Sequence, residues 1–454
     1  MTNDESTSAP AHHAPRIIPA DSIAPELLDQ DALRVISRLE RHDFVAYLVG
    51  GCVRDLWVGR KPKDFDVATD AHPRQIKRLF RNGRIIGRRF KLMHIYYGSH
   101  IVETATFRRE PEAREDDESE VEERDLLIVE DNQYGSAEED ARRRDFTVNG
   151  LFLDPTRHRI IDYVGGLEDL EAGILRTIGD PSVRIAEDPV RILRAVKFAT
   201  RLGFRIHEHT WEAMCRGAPL LSRSAPPRVL EEILRLMRSG TSLGALRMLR
   251  ACGALRIILP DVDRFLDQSD AAPADGRAEH FWRLLEALDA DVHTGFVPST
   301  GLCIAVLYLH IVERTAEAGA ASSVDFAHVV ADHLEPLTTT TRLPRRDVAA
   351  ARRILVYQRR FTQPTTKRFR PLAFLRSEDF QAALDLFRLR AAARGQGWDI
   401  YEGWRVRHDL AMKASSEDLD SERRRTRKRR RRRGGKSASS GESGTASEAP
   451  DPLD

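Results

Sequence analysis

The chain has little that would tie it together covalently or carry it into a membrane. Its 454 residues include only four cysteines, Cys52, Cys215, Cys252 and Cys303. They are widely spaced and none forms a CxxC pair, which argues against a zinc site or a disulfide framework. Reduced cysteines are the default of a cytosolic protein, so a bacterial-type cytoplasmic enzyme is expected. No apolar run reaches the ~20 residues of a transmembrane helix. The longest candidate, GLCIAVLYLHIV at 301–312, is too short. The N-terminus, MTNDESTSAPAHHAP, is polar and lacks the apolar centre of a secretory signal. An overall excess of one charge is also missing, because the net charge is only +2. That average hides two blocks. Residues 110–125, EPEAREDDESEVEERD, are acidic, and residues 422–436, ERRRTRKRRRRRGGK, are almost wholly basic. Such blocks repel themselves, remain disordered and bind oppositely charged partners.

What the chain does have is concentrated at residues 46–67, AYLVGGCVRDLWVGRKPKDFDV. An apolar strand ends in Gly50-Gly51, where the absence of Cβ lets the backbone approach a bulky anion. If a helix follows, its first N–H groups favour phosphate. Further on comes Asp64-Phe65-Asp66. On a strand, residues two apart face one side, so Asp64 and Asp66 would present two carboxylates to one point. A hard divalent cation such as Mg²⁺ requires that. Together these parts predict metal-assisted chemistry on a nucleoside triphosphate. A lone GG or a lone DxD marks a turn more often than a site; the joint pattern is far more specific.

Length allows two or three domains. Residues 1–22 read as a disordered lead-in. Residues 25–42 have helical spacing, and AYLVGG is a strand. A helical segment follows around VRDLWVG, then the strand DFDVATD. HPRQIKRLFRN reads as a basic helix ended by Gly83. KLMHIYY and HIVETATF are strands joined by a hairpin at Gly98-Ser99. The acidic block is expected as a mobile loop leaving that hairpin. LFLD and RIIDYV are strand-like and close the first domain near Gly165-Gly166. From about residue 168 the pattern is helical, with no fixed repeat and with loops expected at 268–276 and 314–324. From about 416 the chain is charged, then Gly/Ser-rich, and expected to be disordered.

Three further segments carry chemistry. Glu103, in HIVETATF, would add a third carboxylate if the hairpin packs beside the DxD strand; otherwise it is a solvent-facing strand residue. In EDARRRDFTVN, 139–149, three arginines before Asp145 suit a polyphosphate, because a guanidinium fork binds phosphate oxygens bidentately. A plain helical surface is the alternative for Arg142 and Arg143. In EDPVRILR, 187–194, Asp188, Arg191 and Arg194 recur at three-residue steps and would share a helix face. An acceptor and two donor forks can hydrogen-bond a base edge, although such spacing more often gives a surface ion pair.

These motifs resemble the nucleotidyltransferase superfamily, in the branch holding bacterial poly(A) polymerases and tRNA CCA-adding enzymes. The resemblance covers residues 46–240 well and includes SAPPRVLEEILRLMRSG, similar to the family's neck helix. It implies an α+β nucleotidyltransferase head with a small mixed sheet, followed by all-α neck and body domains and a disordered basic tail. The implied division is a disordered segment at 1–24, a catalytic head at 25–166 and a neck binding nucleobase and RNA at 167–240. A helical body at 241–415 and an Arg-rich RNA-binding tail at 416–454 complete it. The implied metal ligands are Asp64 and Asp66, with Glu103 as a third candidate, in a two-Mg²⁺ site. Asp145 is implied as an active-site carboxylate, which either touches metal or orients arginines. Gly50, Gly51, Arg54 and Arg144 are implied as nucleotide contacts, and Asp188, Arg191 and Arg194 as the readers of the incoming base.

Within the branch, IIGRRFKLMHIYY at 85–97 resembles poly(A) polymerases, with Arg88-Arg89-Phe90 after the glycine, rather than the GxxHGT-like stretch of CCA-adding enzymes. The arginine-rich tail points the same way. The expected partners are ATP, RNA 3′ ends, the RNA backbone along the tail and RNA-decay proteins. The alternatives are a CCA-adding enzyme and a non-catalytic RNA-binding protein; the intact DxD argues against the latter. A phosphohydrolase of the HD type is weak, because His42-Asp43 and His408-Asp409 stand isolated.

Overall fold

The computed structural model describes residues 14–87, 91–109, 133–272, 275–319, 323–362 and 371–413. Arg88-Arg89-Phe90, the acidic block and the basic tail lie outside the described residues. The chain divides into two compact units, residues 1–268 and 269–454.

The first unit begins with an edge strand that the sequence reading had placed in a disordered lead-in. β1 (Arg16–Pro19) pairs antiparallel with β8 (Arg159–Asp162), setting Ile17 opposite Ile161. Its apolar pair Ile17-Ile18 and the Pro19 stop suit a short edge strand, where a missing N–H costs no ladder bond. Between these strands lie β2 (Ala46–Val49), β3 (Asp66–Thr69), β4 (Gly83–Ile86), β5 (Leu92–Tyr97), β6 (His100–Thr106) and β7 (Leu151–Asp154). They form one mixed sheet in the order β1-β8-β7-β2-β3-β6-β5-β4. The hairpin at Gly98-Ser99 is present, with Tyr97 opposite His100 and Gly98 at φ +63°. Gly83 does not end the preceding helix; it opens β4, and its missing Cβ leaves room for the Met93 sulfur.

Helices α1 (Gln30–Glu40), α2 (Gly51–Trp57), α3 (Pro73–Leu79), α4 (Ala137–Arg142) and α5 (Gly166–Ala172) accompany the sheet. Of the spaced positions Leu28, Leu33, Ile36 and Leu39, Ile36 and Leu39 are buried on α1, Leu33 is half-buried and Leu28 precedes the helix; Val35 joins the buried face. One sheet face carries Val49, Ala68, Phe107, Phe152 and Ile161, which pack with Ala141 into a closed core. The same face continues into Asp66 at the start of β3 and Glu103 at the middle of β6, where the core stops and the cleft begins.

Next come α6 (Pro181–Glu187), α7 (Arg191–Leu202), α8 (Glu208–Gly217), α9 (Pro226–Met237), α10 (Ser242–Ala251), α11 (Leu255–Ile258) and α12 (Pro260–Asp270). A two-stranded parallel ribbon, β9 (Ile174–Leu175) with β10 (Arg205–Ile206), ties the end of α7 back to the chain before α6. Both α7 and α9 are strongly amphipathic and bury one face each: Ile192, Leu193 and Val196 on α7, Leu230, Ile233 and Met237 on α9.

Among the described residues of the second unit the regular elements are all helices: α13 (Arg277–His293), α14 (Thr300–Ala318), α15 (Ser323–Leu334), α16 (Leu337–Thr340), α17 (Arg345–Thr362), α18 (Pro371–Leu375), α19 (Phe380–Arg394) and α20 (Trp398–Lys413). The apolar run at 301–312 is the buried centre of α14. No described helix is long and apolar enough to cross a membrane. That helix runs on to Ala318, into a stretch expected to be a loop. Ala316 there is buried at the next helical step beyond Val312. All four cysteines are free thiols, and only Cys215 is exposed.

Candidate active site

A cleft of about 480 Å³ opens in the first unit and gathers most of the residues singled out from the sequence. Gly50, Gly51, Arg54, Asp64, Asp66, Arg144, Asp145, Asp188, Arg191 and Arg194 all line it. Glu103 does not line it directly, but β6 pairs parallel with β3 and sets Glu103 beside Asp66.

Backbone geometry explains the glycine pair. Gly50 has φ +76°, and a Cβ there would meet the Arg144 guanidinium at 2.8 Å. Any other residue would be strained and would displace an arginine of the site. Gly51 begins α2, and a Cβ there would make only ordinary contact with Arg54.

The DxD pair is built differently from the sequence expectation. The strand starts at Asp66, so Asp64 lies on the irregular segment before it. Both side chains are exposed to the cleft, and neither has an ion-pair partner among the described residues. Partial burial and the negative charges of Glu103 and Asp64 push the Asp66 carboxyl up to about 6, against the pull of Arg144. Crowded carboxylates resist ionising together unless a cation joins them. Glu103 meets His94 on β5, with Oε1 3.5 Å from Nε2. The donor set is all carboxylate oxygen, which fits a hard divalent ion. A separate acidic cluster, Asp29, Asp31 and His100, is also close enough to hold an ion. Its members are already used: Asp29 caps α1 by accepting from the Ala32 N–H, and Asp31 pairs with Arg34 and His100.

Arginines form the opposite wall. Arg54 is buried; its Nε and Nη2 donate to Asp55 at 2.9 and 2.7 Å, and its Nη1 donates to Asn149 Oδ1 at 2.6 Å. Arg144 donates through Nη2 to Asp140 at 2.9 Å and through Nη1 to the Asn149 carbonyl. Arg142 is spent on Glu138 one turn away, the surface pairing weighed for it. Arg143 does line the cleft.

Asp145 is largely but not fully covered, and both its carboxylate oxygens are engaged. Its Oδ2 accepts Arg194 Nε and Nη2 at 2.8 and 2.6 Å, and its Oδ1 accepts the Phe146 N–H and the Asn149 amide. Burial opposes ionisation here, but Arg194 and the Asn149 hydrogen bond outweigh it and hold the carboxyl below its usual range. This geometry makes Asp145 the anchor of an arginine. Asp188, Arg191 and Arg194 do not share one helix face. Asp188 caps the end of α6 in extended conformation, and α7 begins only at Arg191. Asp188 accepts from Arg228 of α9 at 2.8 Å, and Arg191 pairs with Glu187 at 3.0 Å.

The sequence reading missed Lys63, Asp55, Asn149, Phe198 and Arg201 of the lining, and Asp140 behind it. Asn149 had a signal, the last letter of RRDFTVN; it joins Arg54 to Asp145. Asp140 stands four residues before Arg144 within EDARRRDFTVN, a helical pairing visible in the spacing, whereas Phe198 meets Arg54 only through the fold.

A mixed sheet with a glycine turn, an acidic DxD and a cleft lined by arginines defines a nucleotidyltransferase. Residues 46–176 match the Poly A polymerase head domain, residues 203–266 the probable RNA and SrmB-binding site of polymerase A, and residues 318–437 the polymerase A arginine-rich C-terminus. Poly(A) polymerase I of Escherichia coli O6:H1 is 36% identical over 86% of this chain and 85% of its own length. That of Haemophilus influenzae is 33% identical over 89% of each. The CCA-adding enzyme of Bacillus licheniformis is 32% identical over 59% of this chain and 63% of its own. A solved Bacillus stearothermophilus CCA-adding enzyme in complex with CTP is 26% identical over 85% of this chain and 83% of that one, with a TM-score of 0.60. The chain belongs to the bacterial poly(A) polymerase family and is a polynucleotide adenylyltransferase.

Proposed function

We propose that this cleft transfers AMP from ATP to RNA 3′ ends without a template, making poly(A) tails that promote RNA turnover. The observation that carries the reading is convergence: the glycine turn, the DxD, the RRDFTVN segment and the EDPVR segment all line one cleft. Asp64 and Asp66, with Glu103 beside them, hold divalent cations, taken here as two Mg²⁺. Divalent cations held by these carboxylates would supply acidification of the RNA 3′-hydroxyl and neutralisation of charge on the α-phosphate and the leaving pyrophosphate. Arg54, Arg144 and the Gly51 backbone hold the triphosphate, so the α-phosphorus faces the carboxylate side. The 3′-oxygen forms the new P–O bond in line, the bond to pyrophosphate breaks, and the hydroxyl proton is lost to solvent. Asp188, Arg191 and Arg194 hydrogen-bond the base edge. Their anchors, Arg228, Glu187 and Asp145, are protein groups, so specificity for adenine is built in rather than copied from a strand.

Substrate choice follows the relatives. Poly(A) polymerases align along nearly the whole chain, whereas the CCA-adding enzyme of B. licheniformis aligns over 59% of it. The tail at 416–454 is read as a phosphate-binding arm, a cytoplasmic location as that of the enzyme, and RNA-decay proteins as its partners. The test is incubation with an unrelated RNA, with a trimmed tRNA and with each NTP separately. Long homopolymers from ATP alone on both RNAs are expected. Addition of C, C and A followed by a stop would establish the CCA-adding reading instead.

A further inference from the structure

We propose that Phe198 is a positioning residue for the nucleotide: its ring holds Arg54, on the triphosphate side, and Arg194, on the base side, in one fixed relation. The proposal rests on the roles just given to those arginines. Phe198 lies one turn after Arg194 on α7 and is half-buried, with its open part lining the cleft. The Arg54 and Arg194 guanidinium carbons each sit over its ring, both 5.6 Å from the centroid, and the Lys197 ammonium, itself paired with Glu232, lies 5.2 Å from it. The ring is itself held edge-on by the buried Phe146, at 5.8 Å and 74°.

The two arginines come from different parts of the chain, α2 and α7. A polar chain links them: Arg54 to Asn149, Asn149 to Asp145, Asp145 to Arg194. Arg54 is pinned on both sides, by Asp55 and by Asn149, whereas Arg194 is held along one edge by Asp145 and is free to swing about that edge. A π face resists the swing, because a cation is attracted to the ring centre. The ring therefore adds the constraint that the polar chain lacks. A fixed spacing between phosphate-side and base-side donors sets the length of nucleotide that satisfies both, and so favours a purine over a pyrimidine. A phenylalanine needed only for packing would have no reason to offer its open part to two cleft arginines.

The test replaces Phe198 by 4-fluoro-, 3,5-difluoro- and 3,4,5-trifluorophenylalanine, which drain the ring's negative face while nearly keeping its shape. The KM for ATP should rise with each fluorine, to roughly five- to tenfold, following the ordinary strength of cation–π contacts. ATP-over-CTP preference should fall in step, while the melting temperature and RNA affinity without nucleotide hold steady. A flat series overturns the proposal. Arg194→Lys is run alongside. If it raises the KM for ATP and the series is flat, only the role of the ring fails. If Arg194→Lys leaves the KM at wild type, the assignment of the cleft arginines fails, and the proposal with it.

Discussion

Two groups of carboxylates face the same cleft and are treated in opposite ways. Asp64 and Asp66 have no ion-pair partner among the described residues, and burial, then the charges of Glu103 and Asp64, push the Asp66 carboxyl up to about 6 against the pull of Arg144. Asp145 and Asp188 are each held by an arginine, Arg194 and Arg228. A carboxylate without an ion-pair partner can take a charge from outside, whereas one paired with arginine fixes the arginine. Pairing alone does not mark a site: in the second unit the half-buried Glu313 is held down to about 2 by Arg390, His310 and Arg394. What separates the cleft is the presence of both kinds together.

The hardest test of this contrast is catalysis. Asp64→Ala or Asp66→Ala should lower AMP incorporation at least a thousandfold, since losing a metal carboxylate costs several kcal/mol in the transition state, about 4 kcal/mol. RNA binding should persist. Labelled-ATP incorporation and filter binding measure the two; near-normal incorporation by either variant would remove the metal assignment.

Stability should divide the groups the other way. Asp145→Ala leaves Arg194 unpaired and removes acceptors from Phe146 and Asn149, so it should cost about 3 kcal/mol, in line with other broken buried pairs. The DxD variants should cost far less. Denaturant titration of the three proteins ranks them, and an Asp145→Ala protein as stable as Asp66→Ala would erase the distinction.

A third test uses pH. The Asp66 pKa in the folded chain, about 6, lies above its ordinary value of 3.8. Folding therefore favours the protonated form, and ionisation works against the fold as pH rises through that window. Without metal, Asp66→Asn should melt higher than wild type above pH 6, and the gap should close as pH falls toward about 4. Saturating divalent cation should shrink or invert the gap at pH 8. A gap that ignores both pH and cation would mean that Asp66 is not electrostatically strained.

The smallest effect belongs to the tail. Truncation after residue 415 should weaken RNA binding and flatten its salt dependence while sparing the chemical step, because clustered arginines act by releasing counterions from phosphate. Log affinity against log salt, for full-length and truncated protein on one RNA, gives the slopes. Parallel lines of equal affinity would assign the tail to something other than RNA.

Much of this was written locally. The alternation and turn at 92–106 gave the hairpin, because register follows from period two and a glycine at the turn. The helical spacing of α1, α7 and α9 gave their buried faces. The short motifs gave ten lining residues of the cleft, because phosphate, metal and base each demand particular side chains at particular steps. The β1 strand was not legible, since four residues among prolines and serines become a strand only when β8 offers an edge. Nor was the helix face expected for Asp188, Arg191 and Arg194, because α6 ends at the very residue where continuity was assumed.

By itself, the sequence determined the chemistry available: oxygen donors for a hard cation, forks for phosphate, and a strand–glycine frame to carry them. Tertiary structure decided the division of labour. Whether Asp145 meets metal or arginine depends on which charge lies nearest its oxygens, and Arg194 lies 49 residues further along the chain. Whether Glu103 stands beside Asp66 depends on β6 pairing parallel with β3, a contact across 37 residues. Coulomb forces and hydrogen bonds act over a few ångströms, so these roles exist only once the fold has brought distant residues to that range.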